Sequence, residues 1–147
     1  MAEAGRWRRD FPVSVAETVA TARWLDTIAV QHALPGTTAY AMQICLEELL
    51  GNVLRYGGDG RRAKVGVEID TDRVAMTVED NGRPFDVVSA PVKHVQGTLE
   101  DLEPGGLGIG LVHEFSDRLE YSRAGLGNRV TVTFSLSDPT SSSAPDQ

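Results

Sequence analysis

Apolar and polar residues alternate most strictly in two neighbouring stretches. Val65, Val67 and Ile69 are separated by Gly66 and Glu68, and Val74, Met76 and Val78 by Ala75 and Thr77. A period of two puts one set of side chains on a single face of a strand. Lys64–Asp70 and Arg73–Asp80 are therefore expected to pair as a hairpin. The same alternation returns at Val130, Val132, Phe134 and Leu136, with Asn128 on the inward parity. Leu119–Arg123 and Asn128–Leu136 then make a last hairpin around Gly125–Gly127. Residues 6–13 read as a first strand, closed by Pro12, which cannot donate to a ladder.

Helical spacing fills the region between. Ser14 with Glu17 three residues on is a capping-box pattern that opens a helix. Val15, Val19, Ala22, Ala29 and Ala33 are expected to form its apolar face, with Leu25 and Ile28 beside them. Pro35-Gly36 ends it, and Thr37 is expected to cap a second helix reaching about Tyr56, where Gly57-Gly58 stops it. Met42, Leu46, Leu49 and Val53 are the core stripe of that helix. From Asp86 to Pro104 no periodicity holds, and a loop longer than about 12–15 residues inside a compact domain is usually a lid, a binding loop or disorder. Gly105-Gly106-Leu107-Gly108-Ile109-Gly110-Leu111 ends this loop and leads into a short helix through about Asp117. The order predicts an α+β fold, a mixed or mostly antiparallel sheet with helices on one face.

Composition narrows the class. The 147 residues suit one domain, residues 1–136, followed by a Ser-, Pro- and Asp-rich tail, 137–147, expected to be disordered. No apolar run approaches about 20 residues, so no membrane partner is expected. Arg6, Arg8 and Arg9 lead straight into Asp10-Phe11 without a signal-peptide core. The lone Cys45 excludes an internal disulfide framework and suits a reducing, cytoplasmic setting. A net charge of −7 argues against direct nucleic-acid binding as the main activity. His32, His94, His113 and Cys45 show no zinc spacing.

Three groups carry candidate chemistry. Asp80 follows Val78 in the inward register, and an inward acid costs several kcal/mol unless something binds it. Asn81-Gly82 and Pro84 then break the strand, so the acid sits at a strand end beside a glycine turn. It either reads a polar ligand edge or caps its own turn. Glu48 and Asn52 lie four apart on the second helix and share a face next to the core stripe. They are either exposed polar residues or a carboxylate base beside an amide oxygen suited to Mg²⁺. The glycine-rich stretch before the third helix offers unpaired N–H donors to a phosphate, or serves as a hinge. It is neither a Walker A loop nor a dinucleotide fingerprint, because the Gly-Lys-Ser/Thr ending and the strand-first context are both missing.

Taken together these motifs resemble the Bergerat-fold, histidine-kinase-like ATPases. Glu47-Glu48-Leu49-Leu50-Gly51-Asn52 is similar to the N box, Asp80-Asn81-Gly82-Arg83-Pro84-Phe85-Asp86 to the adenine box, and Pro104–Leu111 with Val112 to the glycine-rich lid end. Order and spacing agree from about Phe11 to Phe134. The chain looks most like the anti-sigma factor serine/threonine kinases of the partner-switching branch. The resemblance implies ATP and Mg²⁺ as cofactors. Asp80 would accept a hydrogen bond from the adenine amino group, with Gly82 and Phe85 beside the base. Asn52 would ligate Mg²⁺, and Glu48 would be the catalytic base. Gly105, Gly106, Leu107, Gly108, Ile109 and Gly110 would wrap the phosphates. Two positions depart from the family pattern. Tyr56 stands where relatives often have His, and Asn128 stands where many members have the Thr that supports the adenine Asp.

The implied activity is a Mg-ATP-dependent protein kinase. It would sequester a sigma factor and phosphorylate a STAS-type anti-sigma-factor antagonist, as a homodimer joined through the first strand and helix. The alternative is an ATP-binding sequestering module without kinase activity. A detached histidine-kinase catalytic domain would need an acceptor His on a dimerisation helix, and none of the three histidines has that context. Gyrase- or chaperone-like ATPases need a further transducer domain, for which the chain has no room.

Overall fold

The computed structural model describes residues 4–56, 60–89, 106–125 and 127–136. Gly57-Gly58, most of the expected lid with His94 and Gly105, and the tail 137–147 lie outside the described residues.

The alternating stretches are strands. β1 (Gly5–Pro12), β2 (Arg62–Ile69), β3 (Arg73–Asp80), β4 (Arg118–Ala124) and β5 (Gly127–Ser135) form one sheet in the order β1-β2-β3-β5-β4. Every pairing is antiparallel, so the mixed-sheet option is closed. One parity of β2, β3 and β5 is buried: Val65, Val67, Ile69, Val74, Met76, Val78, Val130, Val132 and Phe134. Burying such a side chain fully contributes about 1.5–3 kcal/mol. The other parity carries charge in cross-strand rows. Asp10 faces Lys64, Lys64 faces Glu79, and Glu79 faces Arg129, so opposite signs alternate across four strands. That face is suited to water, and the helices lie on the apolar one.

α1 (Val15–Gln31) and α2 (Gly36–Tyr56) fill that apolar face, joined by α3 (Gly106–Phe115), which packs against α2. The α2 stripe is as expected, with Met42, Leu46, Leu49 and Val53 buried. α2 begins at Gly36, so Thr37 lies inside its first turn rather than before it.

α1 differs from its expected face. Its buried residues are Thr21, Leu25, Ile28 and Ala29, while Val15 and Val19 are 70% and 48% exposed. The helix is rolled by polar anchors: Arg9 of β1 donates to Thr21 Oγ1 at 3.0 Å and pairs with Glu17 at 2.6 Å. The capping box is therefore half made. Ser14 Oγ accepts from Glu17 N at 3.0 Å, but the Glu17 carboxylate is taken by Arg9. α1 ends before Pro35, at Gln31, because Ala33 adopts φ 55° and Leu34 N donates back to Ala29 O at 2.9 Å. A residue in this left-handed conformation terminates a helix, and glycine usually fills the place.

Candidate nucleotide site

The site is built around the end of β3. Asp80 pairs with Ala63 of β2 and Asn128 of β5, so its backbone is held on both sides. Its carboxylate does cap its own turn: Oδ1 accepts from Gly82 N at 2.7 Å. The same oxygen accepts from Asn128 Nδ2 at 3.2 Å. Among the described residues nothing bonds Oδ2. One oxygen is thus committed to the protein, and the other is left for a donor from outside. The turn-capping reading of Asp80 therefore holds for one oxygen, and the other stays open to a ligand.

The turn after Asp80 is pinned from two directions. On the β2 side, Asn81 Oδ1 accepts from Arg62 N at 2.9 Å and Asn81 O from Arg61 at 2.9 Å. On the β5 side, Asn128 is 4% exposed and uses its whole amide. Its Nδ2 also donates to Arg83 O at 2.7 Å, and its Oδ1 accepts from Phe85 N at 2.8 Å and Tyr121 OH at 2.7 Å. Phe85 itself is 42% exposed, beside a buried Gly82. Farther along, His113 of α3 donates through Nε2 to Val87 O at 2.9 Å, which ties α3 to this segment.

α2 packs against β3 and β5 and brings the second group. Asn52 is 8% exposed, its Oδ1 accepts from Arg55 at 3.2 Å, and its Nδ2 is buried without a hydrogen-bond partner. Glu48, one turn earlier, is half-buried. Burial pushes its carboxyl above the usual range, repulsion from Glu47 adds to this, and Arg55 partly offsets both. Glu48 also borders a groove of about 450 Å³ between α1 and α2, lined by Val19, Leu46, Leu54 and Glu47 among others. Gly106, Gly108 and Gly110, with Leu107 and Ile109, form the first turns of α3. Such a helix start leaves backbone N–H groups unpaired along the chain's own axis.

These residues fit a magnesium nucleotide. Among the described residues no group of three or more His, Cys, Asp or Glu could hold a metal ion alone. Mg²⁺ commonly takes one or two protein oxygens and completes its shell with water and substrate phosphates. Asn52 Oδ1 is a hard oxygen with a second lone pair, and the orphaned Nδ2 suits an anionic oxygen.

The fold and this arrangement define a histidine kinase-like ATPase domain. The model of that family matches residues 11–134, and the chain belongs to it. ATP is accordingly the ligand of the fold. Among proteins similar to this chain, serine/threonine-protein kinase BtrW of Bordetella bronchiseptica is 29% identical over 126 residues, 82% of this chain and 89% of that protein. Sensor histidine kinase YvrG of Bacillus subtilis is 28% identical over 99 residues, 60% of this chain but 17% of that protein. Among solved structures, the RsbU and RsbW domains of Rv1364c from Mycobacterium tuberculosis align with a TM-score of 0.63 at 12% identity, over 92% of this chain and 33% of that one. The histidine kinase domain of the Erythrobacter litoralis EL346 blue-light activated histidine kinase gives 0.56 at 18%, over 90% and 65%. At these identities the two structures speak for the fold alone. Among the described residues no helix is long and apolar enough to cross a membrane.

Three participants were not singled out from the sequence. Arg55 touches Asn52 and acts on Glu48, and its place three residues after Asn52 was the available signal. Tyr121 reaches Asn128 diagonally across β4 and β5. Gly127 is needed where the β5 backbone crosses the end of β3. A Cβ there would overlap the Asp80 carbonyl oxygen and fall 2.8 Å from Asn81 Cα. The Gly125-Leu126-Gly127 turn hinted at it without giving the reason.

Proposed function

We propose that the chain is a Mg-ATP-dependent serine/threonine protein kinase that also sequesters a sigma factor, its substrate being a STAS-type anti-sigma-factor antagonist. The observation that carries the kinase reading is Glu48, a half-buried carboxylate pushed above its usual range by burial and by Glu47, one turn before Asn52. A general base works best when its affinity for protons is raised toward the working pH. The likeness to BtrW over most of both chains supports the serine/threonine assignment.

In this reading Asp80 Oδ2 takes the adenine amino group, and Gly82 lets the base approach the backbone beside Phe85. Asn52 would hold Mg²⁺ through Oδ1, and the α3 start would receive phosphate oxygens on the unpaired N–H groups of its first turn, Gly106 to Gly108. The metal supplies charge neutralisation on the phosphates. The acceptor hydroxyl oxygen bonds to the γ-phosphorus, the bond to the β–γ bridging oxygen breaks with departure of ADP, and the hydroxyl proton goes to Glu48. Homodimer formation through β1 and α1 remains part of the proposal.

The test is phosphate transfer from labelled Mg-ATP to a purified antagonist domain, wild type against Glu48→Gln. Loss of the base should lower the rate roughly 10²–10⁴-fold with ATP affinity retained. Transfer at the wild-type rate by the variant refutes the role of Glu48. Tight ATP binding with no transfer by either protein refutes the kinase.

A further inference from the structure

Asn128 is a saturated amide, and its orientation is set by groups that cannot change roles. Phe85 N–H can only donate, so the atom 2.8 Å away must be Oδ1. Arg83 C=O can only accept, so the atom 2.7 Å away must be Nδ2. With the amide fixed, the Tyr121 hydroxyl 2.7 Å from Oδ1 must be the donor, and the second Nδ2 proton must go to Asp80 Oδ1. All four hydrogen-bonding capacities are used inside the protein. Asn128 therefore has nothing left for a ligand and acts on one only through Asp80.

This matters because the terminal torsion of an aspartate is soft and nearly two-fold. A carboxylate free to turn would exchange its oxygens, and a ligand would have to arrest that motion on binding. Here two donors, Gly82 N–H and Asn128 Nδ2, hold the same oxygen. Tyr121 is the outermost member of this chain of contacts. It sits on the edge strand β4 opposite Val130, one diagonal step from Asn128, and its ring packs against the core while its hydroxyl reaches the amide.

We propose that Tyr121 is a positioning residue for adenine recognition: through Asn128 it locks one oxygen of Asp80 so that the other is presented, already oriented, to the exocyclic amino group. The inference rests on the reading of Asp80 given under Proposed function, and adds that specificity is set from the sheet edge. Removing the hydroxyl leaves Asn128 Oδ1 with one donor and loosens the amide, so Gly82 N–H becomes the one firm donor on Asp80 Oδ1 and the carboxylate turns more readily. The loss then falls on nucleotides carrying the amino group and spares those without it.

The experiment measures dissociation constants, by calorimetry with Mg²⁺ present, for ATP and for purine riboside 5′-triphosphate, which lacks the amino group. The proteins are wild type, Tyr121→Phe and Asp80→Asn. Because the protein donors must keep an oxygen, Asp80→Asn turns its NH₂ toward the base, so its preference for ATP should fall by about ten- to a hundredfold, the worth of a hydrogen bond to a charged group. Tyr121→Phe should weaken ATP by about three- to tenfold, with purine riboside triphosphate changed by less than about twofold. Equal weakening of both nucleotides, or of neither, overturns the role of Tyr121 while leaving Asp80 in place. A wild-type preference in Asp80→Asn overturns the adenine reading and this inference with it. A second readout needs no variant: in the wild-type protein the Asn128 side-chain amide protons should exchange slowly with solvent, and exchange at the free-amide rate overturns the proposal.

Discussion

Asn128→Asp changes one NH₂ to an oxygen and almost nothing in shape, which makes it a sharp probe of the clamp. The new carboxylate would stand 3.2 Å from Asp80 Oδ1 and, on its other side, 2.7 Å from the Arg83 carbonyl oxygen. Two unit charges at that first separation repel by about 5 kcal/mol at an effective dielectric of about 20. The pair escapes by keeping one proton. Holding a proton costs about 1.4 kcal/mol for each pH unit above an ordinary carboxyl value near 3.9. That is about 4 kcal/mol at pH 7 and about 1.5 kcal/mol at pH 5, both below the repulsion, so proton retention sets the loss. The protonated oxygen donates once, to Asp80 Oδ1, whereas Nδ2 donated twice, so Arg83 O loses its donor at either pH. A proton bound more tightly in the folded than in the unfolded protein stabilises at low pH, and that contribution disappears as pH rises through the folded value. Urea unfolding at pH 7 and pH 5 should therefore show a deficit relative to wild type that is smaller by about 2.5 kcal/mol at pH 5. Asn128→Ala, which removes the clamp without adding charge, should lose stability by a similar amount at both pH values. A loss below about 1 kcal/mol at pH 7 for Asn128→Asp, within the ordinary range for point substitutions, would refute the saturated-amide description. So would equal losses at the two pH values.

Other outcomes follow from features elsewhere in the chain. The raised carboxyl of Glu48 destabilises the fold once it ionises, so Glu48→Gln should raise the melting temperature at pH 7 and lose that advantage below the unfolded carboxylate range, as calorimetry at pH 7 and pH 4 would show. Relieving the neighbouring repulsion with Glu47→Gln should move the acidic limb of the transfer-rate profile to lower pH. Ala33 occupies a left-handed helix end, so Ala33→Gly should add about 0.5–1 kcal/mol in urea unfolding, and a loss would show that the end is held otherwise. The Cys45 thiol is pushed up to about 12, by burial first and by Glu48 second. It should resist alkylation at pH 8 until the protein unfolds, and rapid labelling of native protein would contradict its burial.

The sheet was legible because its signal is local. Strict alternation in Val65–Ile69, Val74–Val78 and Val130–Phe134 fixes a face without knowledge of the partner strand, and the structure buries those residues. α1 was misread for the converse reason. Val15 and Val19 are apolar at helical spacing, yet the helix is rolled onto Thr21 and Leu25 by Arg9, a residue on another element. Apolar periodicity carries no record of such a tether. At the site, the inward parity of Asp80 and Asn128 was readable, and so was the Glu48–Asn52 spacing. Tyr121, Gly127 and the division of labour between the two Asp80 oxygens were not, since each depends on the register of the last hairpin against β3.

That seam between β3 and β5 has a consequence for how the protein assembles. The β2–β3 and β4–β5 hairpins close over a few intervening residues, but Asp80 and Asn128 meet only when the two hairpins join side by side. Contacts between segments far apart in sequence carry a loop-closure cost before they return anything, and tend to form late. The hydrogen-bonded setting of the Asp80 carboxylate is therefore completed by a late-forming junction. ATP, by binding only the joined state, should slow the separation of these hairpins and so the exchange of the β3 and β5 amides, more than those of β1.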